Sequence, residues 1–361
     1  MNLAGKHPSF VVKEQTPLNG GTPVARLVRQ FLTPADHFFI RSHGAVPPLE
    51  PDAHRVSISG MVRHARTYTP ADLQREFPSA TVVAALECAG NRRDELIALR
   101  PVPGELPWEA EAVGNAEWAG VPLAAVLDAA QVLPGAAHVV FTGVDRVTKD
   151  GRSFGFGGSV PLSKATRPEV LLAYTMNGEP LRPEHGAPLR VVVPGYIGAR
   201  SVKWVSEITV QRGPSDNYFQ ARAYKLFPPH VDAETADWNA GAMLGEVPVN
   251  SVIASPADRA IVPAGPLAIR GYALSGRGRI AGVEISTDGG RTWQMAGTTV
   301  QASEWSWCLW DLTVDLSGGD HELAVRARDT AGTTQPEHLR DVWNFKGYVN
   351  NAWHRVRITA T

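Results

Sequence analysis

Hydrophobic and polar positions follow two different periods along this chain, and the period depends on where one looks. RVSISGMV (residues 55–62) alternates every second residue, as a strand with one buried face does. TVVAALECAGNRRDEL (81–96) opens as an unbroken apolar run and stops at Ala-Gly-Asn, which predicts a buried strand ending in a turn. AHVVFTGVD (137–145), VLLAYTMNG (170–178) and LRVVVPG (189–195) read as strands too, and GARSVKWVSEITV (198–210) completes the block. Spacing of three and four in VPLAAVLDAAQV (121–132) predicts an amphipathic helix. A second helix is expected through Glu76, with Thr69 as N-cap and Pro70 at its first position. Residues 1–36 are expected to form an extended arm with a short helical piece near 23–31. FGFGGSVPLSKAT (154–166) is expected to be a glycine-rich loop leading into a helix or turn.

The texture changes from about Leu244. Helical spacing vanishes, and short strands recur between turns: VNSVIASP, LAIRGYAL, IAGVEISTDGGRTW, WSWCLWDLTV, HELAVRARD and HRVRITA. That rhythm over roughly a hundred residues argues for a β-sandwich. With 361 residues, too many for one ordinary core, the expected division is a first domain over 1–245 and a sandwich over 246–361.

Composition adds exclusions. A formal net charge of −1, with 43% hydrophobic and 20% charged residues, supports neither disorder nor a basic nucleic-acid binder. Two cysteines, Cys88 and Cys308, exclude a disulfide framework and any four-cysteine metal site. No apolar run reaches the length of a membrane span. No signal-peptide core or twin-arginine pair is visible, so the chain as written is expected in the cytoplasm, or in the periplasm if a leader was removed.

The candidate chemistry gathers at strand ends. Cys88 stands at the end of an apolar run, followed by Arg92 and Arg93. A thiolate binds soft metals, and nearby cations favour it. A buried free cysteine beside a solvated arginine pair is the simpler alternative. His43 and His185 lie beside glycines, Asp145 ends a strand, and Lys203 sits in a strand; each alone reads as an ordinary loop or surface residue. Arg190 precedes an apolar VVV, and a buried guanidinium there needs an anionic partner. No GxSxG, HExxH, EF-hand loop or nucleotide-binding loop occurs. Several cations around one thiolate suit an anionic ligand that carries both metal and phosphate.

Taken in order, FFIRSH (38–43), LECAGNRR (86–93), LPW (106–108), TGVD (142–145), LLAYTMNGEPL (171–181) and HGAPLRVVVPGYIGARSVKW (185–204) resemble the sulfite oxidase family of molybdenum–pterin enzymes. DGGRTW (288–293), WSWCLW (305–310), VWNFKG (342–347) and NNAWHRV (350–356) extend the resemblance to the C-terminus. It implies an α+β chain, a mixed α/β cofactor domain followed by an immunoglobulin-like β-sandwich that dimerises. It implies Cys88 as the thiolate ligand of molybdenum. Phe39, Arg41, His43, Asp145, His185, Arg190, Ser201, Val202 and Lys203 would hold the molybdopterin. Guanidinium and ammonium donors suit the pterin's phosphate. Arg41 and Arg93 would hold an oxyanion and Trp108 would wall its pocket.

The resemblance further implies oxygen-atom transfer to a small oxyanion, foremost sulfite, with electrons passed singly to an external acceptor. Reduction of nitrate or of S- or N-oxides is the alternative within the class. A non-catalytic protein that keeps the fold is the alternative outside it. No haem-attachment CxxCH or flavin motif is present, so neither haem nor flavin is expected in this chain. Three positions are read as departures from the sulfite-oxidising pattern, the first a modest one, Ser42 in Arg41-Ser42-His43 where the family has an asparagine. Phe156 stands where a tyrosine is expected, and Cys308 where an arginine is expected, leaving two pocket cations rather than three.

Overall fold

A computed structural model describes residues 5–149 and 151–361. The first part is built on two large sheets, with two-stranded pairs beside them. One runs in the order Gly157–Pro161, His138–Gly143, Val205–Gln211, Val56–Gly60, Arg66–Tyr68, antiparallel except where Val205–Gln211 lies parallel to Val56–Gly60. The other runs Glu179–Pro180, Leu171–Met176, Val113–Pro122, Ala80–Glu87, with Arg190–Val192 also paired to Leu171–Met176. Helices Pro70–Glu76 and Leu123–Ala130 close the core over them. Ile58, Leu73, Val126, Phe141, Val191 and Ile208 meet there with no exposure. The Thr69 start is a capping box: its hydroxyl accepts from the Asp72 N–H, and the Asp72 carboxylate accepts from the Thr69 N–H.

Two sheets of four and five strands form the sandwich, with orders Asn250–Ser255, Gly265–Leu274, Cys308–Leu316, Gly297–Thr298 and Ala260–Val262, His354–Ala360, Gly319–Asp329, Ile280–Ser286, Gln294–Met295. Alternate residues point inward, as facing sheets require. Ile269, Val283, Val325 and Ile358 fill the space between them. No helix among the described residues is long and apolar enough to cross a membrane.

Two expectations need correction. The N-terminal arm is not extended throughout: Val11–Gln15 and Leu18–Gly21 form a hairpin, and Gly20 bridges to Ile40. A short helix, Val24–Leu27, follows it. The glycine-rich run is not a loop either, because Gly157–Pro161 is an edge strand paired with His138–Gly143. Its glycines answer to packing rather than to turning. A Cβ on Gly157 would lie 2.7 Å from the Phe141 carbonyl oxygen, and one on Gly158 would lie 2.8 Å from an Arg200 nitrogen.

Candidate active site and cofactor cavity

Strand Ala80–Glu87 delivers Cys88 to the end of its sheet, and the next residues turn sharply back. The Cys88 N–H donates to the Ala112 carbonyl (2.9 Å), and its own carbonyl accepts from Asn91 N–H (2.9 Å). Arg92 takes a left-handed conformation, φ 61°. The sandwich clamps this turn. Asn250 donates to the Glu87 carboxylate (3.2 Å) and accepts from Arg92 (2.8 Å), Val349 N–H donates to Ala89 O (2.7 Å), and Asn350 donates to Arg92 O (2.9 Å). Glu87, also bonded by Asn91 (2.7 Å), is held neutral longer than usual by burial, its pKa pushed up to about 7.

Cys88 opens on a cavity whose empty space, counted out to its open mouth, is about 720 Å³. Burial pushes its thiol pKa up, while the charges of Arg41 and Arg93 and the Gly90 N–H, 3.4 Å from Sγ, pull it down. On one side stand Arg41, His43, Phe156 and Tyr224. The His43 ring stacks on Phe156 at 5.3 Å and bonds the Tyr224 hydroxyl at 2.9 Å. Burial, then Arg41, Lys149, Lys203 and Lys346, keep His43 from protonating. On the other side stand His185, Arg190, Ser201 and Lys203. Arg190 donates to the carbonyls of His185 (2.9 Å) and Ser201 (3.0 Å), and burial lowers its pKa to about 9. Lys203 donates to the Ser42 hydroxyl (2.7 Å) and the Glu184 carbonyl (3.0 Å). Burial, with Arg190 nearby, lowers its pKa to about 7. Asp145, buried and also on the lining, accepts from the Phe156 N–H (3.2 Å).

The cavity therefore gathers Phe39, Arg41, His43, Cys88, Asp145, Phe156, His185, Arg190, Ser201 and Lys203, from segments far apart in sequence. Three expected residues stand behind its wall. Arg93 is buried and spends its donors on the carbonyls of Lys346, Gly347 and Leu106 and on Glu105. Trp108 is wholly enclosed in the apolar cluster under Cys88. Val202 points into the main core. Cys308 is corrected outright. It lies between the sandwich sheets beside Val249, Ile253 and Ala273, and burial pushes its thiol pKa up to about 12. No pocket charge is lost there, because a strand residue facing the sandwich core cannot also face the cavity.

Sequence reasoning missed Tyr224 and Lys346. Tyr224 supplies a hydroxyl on the wall that Phe156 lacks. Lys346 adds positive charge felt by His43 and is ion-paired with Glu105. Nothing in AYKLF or NFKG taken alone marks Tyr224 as a lining residue or Lys346 as a charge felt in the cavity.

The donor set tests what the cavity can hold. Among the described residues no cluster of three or more His, Cys, Asp or Glu could bind a bare metal ion. A metal at Cys88 must arrive with its other ligands already attached. The opposite side offers guanidinium, ammonium, imidazole and hydroxyl groups, which suit an anionic group with many acceptors. A cysteine beside such a cradle fits the site of a molybdopterin-type oxidoreductase.

Comparison with known proteins agrees. Residues 43–219 match the oxidoreductase molybdopterin binding domain, and residues 242–361 match the Mo-co oxidoreductase dimerisation domain. Sulfite oxidase of Gallus gallus is 40% identical, over 97% of this chain and 78% of that one. The Arabidopsis thaliana enzyme is 40% identical over 97% of this chain and 94% of its own length, while the chain spans 66% of the human mitochondrial enzyme. An inducible nitrate reductase of Glycine max is 38% identical over 99% of this chain, which spans 42% of it. Sulfane dehydrogenase SoxCD from Paracoccus pantotrophus shares the fold with a TM-score of 0.82 at 30% identity, over 96% of this chain and 85% of that one. The chain belongs to the sulfite oxidase family of molybdopterin-dependent oxidoreductases.

Proposed function

We propose that the chain oxidises a small sulfur oxyanion, foremost sulfite, and passes the electrons to an external one-electron acceptor. The observation that carries this reading is one cavity holding Cys88 between two unlike groups of donors. Arg190, Lys203, His185 and Ser201, with Phe39, hold the cofactor, and Cys88 holds its molybdenum. When bound, that group supplies a two-electron redox centre for oxygen-atom transfer. Arg41 and the Tyr224 hydroxyl face the substrate's oxygens, and the fields of Arg93 and Lys346 reinforce them. His43, kept neutral, orients Tyr224 instead of competing for the anion. The sandwich would pair two such chains into a homodimer, as the dimerisation-domain match suggests.

The test is metal and pterin quantification, then sulfite-dependent reduction of a one-electron dye by fully loaded protein. Absence of turnover across a broad pH range in loaded protein would overturn the substrate assignment. A second reading, reduction of nitrate or of S- or N-oxides, draws on the likeness to plant nitrate reductase. It predicts turnover of such oxides with a reduced dye in place of sulfite oxidation.

A further inference from the structure

Lys6 is a lysine shielded from solvent, its side chain 3% exposed. Its ammonium nitrogen lies 2.7 Å from the Ala35 carbonyl, 3.1 Å from the Phe38 carbonyl and 2.9 Å from Nε2 of His185. An ammonium has three N–H groups and no acceptor, so these three contacts use it completely. Glu184, at 3.6 Å, balances the charge. Nothing in the N-terminal sequence singles out this residue.

The consequence falls on His185. Nε2 also lies 3.2 Å from the Ala35 carbonyl, so on distance alone it could donate there instead. The two arrangements exclude each other. With Lys6 charged, an Nε2–H would meet an N–H head on, so Nε2 must accept, and the proton of the neutral ring sits on Nδ1. A second proton on the ring is opposed by burial first, and then by Lys6, Lys203 and Arg190 around it. Nδ1 has no hydrogen-bond partner within the described chain. Nor is it among the enclosed nitrogens and oxygens that lack one, so it opens on the cavity that the ring lines. Phe38, edge-on to the ring at 5.5 Å, and the Arg190 bond to the His185 carbonyl hold that orientation.

We propose that Lys6 is a positioning residue that fixes the tautomer of His185 and so makes the ring a hydrogen-bond donor to the cofactor. This rests on the reading of His185 as a cofactor-binding residue. Arg190, Lys203, Ser201 and His185 then all present N–H or O–H to an anionic, acceptor-rich group, while the Glu184 carboxylate, also on the lining, is held by Lys6 at 3.6 Å. Without Lys6, Nε2–H would donate to Ala35 and leave a bare Nδ1 lone pair facing the same acceptors.

The test uses ¹⁵N-histidine-labelled, cofactor-loaded protein, with His185→Asn to assign the ring signal, together with the rate of pterin loss on dilution. The expected result is a protonated Nδ1 in the wild type, a shift of the proton to Nε2 in Lys6→Met, and pterin loss about tenfold faster in that variant. A wild-type ring protonated on Nε2 would overturn the inference whatever the variant does. So would Lys6→Met keeping its pterin as firmly as wild type while His185→Ala loses it. His185→Ala keeping its pterin would remove the histidine from the cofactor site and the Lys6 role with it, a failure distinct from the other two.

Discussion

The Tyr224 hydroxyl stands 2.9 Å from Nε2 of His43, whose Nδ1 lies 3.2 Å from a nitrogen of Arg41. The polarity of this row is forced. A guanidinium only donates, so Nδ1 accepts; the neutral ring then carries its proton on Nε2 and donates to the tyrosine oxygen. The Tyr224 proton is left to point into the cavity that it lines. Burial raises the Tyr224 pKa well above its ordinary value, so the hydroxyl stays a donor throughout the physiological range.

Tyr224→Phe is therefore expected to cut kcat/KM for the oxyanion while leaving cofactor content unchanged. Removing a hydrogen bond to a charged group costs about 1.5–3 kcal/mol, a factor of ten or more. Steady-state kinetics at equal molybdenum loading measure it. An unchanged kcat/KM would mean that this hydroxyl does not reach the substrate.

Cys308→Arg is expected to unfold the sandwich rather than to add a pocket cation. The side chain is 1% exposed between two packed sheets with no carboxylate beside it. An unpaired buried charge with overpacking costs on the order of 3–5 kcal/mol. Cys308→Ala removes little volume and is expected to cost about 1–2 kcal/mol by the cavity it leaves. Thermal melts of both variants check the order, and a stable Cys308→Arg protein with raised oxyanion affinity would contradict the assignment.

The strands, the capped helix at Thr69 and the change of texture near Leu244 were legible because period and capping chemistry are local. Ten of the expected site residues do meet in one cavity, yet only the ordered set of distant motifs pointed to that meeting, since spacing within each segment says nothing of it. What stayed hidden depends on which way a strand faces. Cys308 and Trp307 are neighbours in sequence, but the first faces the sandwich core and the second faces the first domain. Arg93 was legible as a cation beside Cys88. Its burial under Gly347 was not, because that turn approaches from 254 residues away, where a Cβ on Gly347 would lie 2.6 Å from the Arg93 side chain.

The Cys88 turn owes its shape to a residue of the other domain, which gives a third prediction. Asn250, 3% exposed, satisfies Glu87 and Arg92 at once. Asn250→Ala leaves a buried carboxylate oxygen and a guanidinium nitrogen each short of a partner, which costs about 2–4 kcal/mol. Equilibrium denaturation measures that loss. Faster release of molybdenum from the same variant would show that the clamp also steadies Cys88.

Lys203 is expected to tie anion binding in the cavity to pH. Its pKa in the folded chain, about 7, lies below the ordinary lysine value of 10.5, mainly through burial. The unfolded chain therefore takes up this proton first as pH falls. The contribution of Lys203 to cofactor-free stability is fully present above about 10.5 and is lost progressively as pH falls toward 7. An anion in the cavity reverses the balance by stabilising the ammonium, so binding takes up protons. Inorganic pyrophosphate is thus expected to bind the cofactor-free protein more tightly at pH 6 than at pH 9. Lys6, whose pKa is lowered to about 8, contributes in the same direction but does so from behind His185. Calorimetry in buffers of different ionisation enthalpy reads the proton uptake directly. Lys203→Met should remove most of it, and a pH dependence unchanged in that variant would place the responsible group elsewhere.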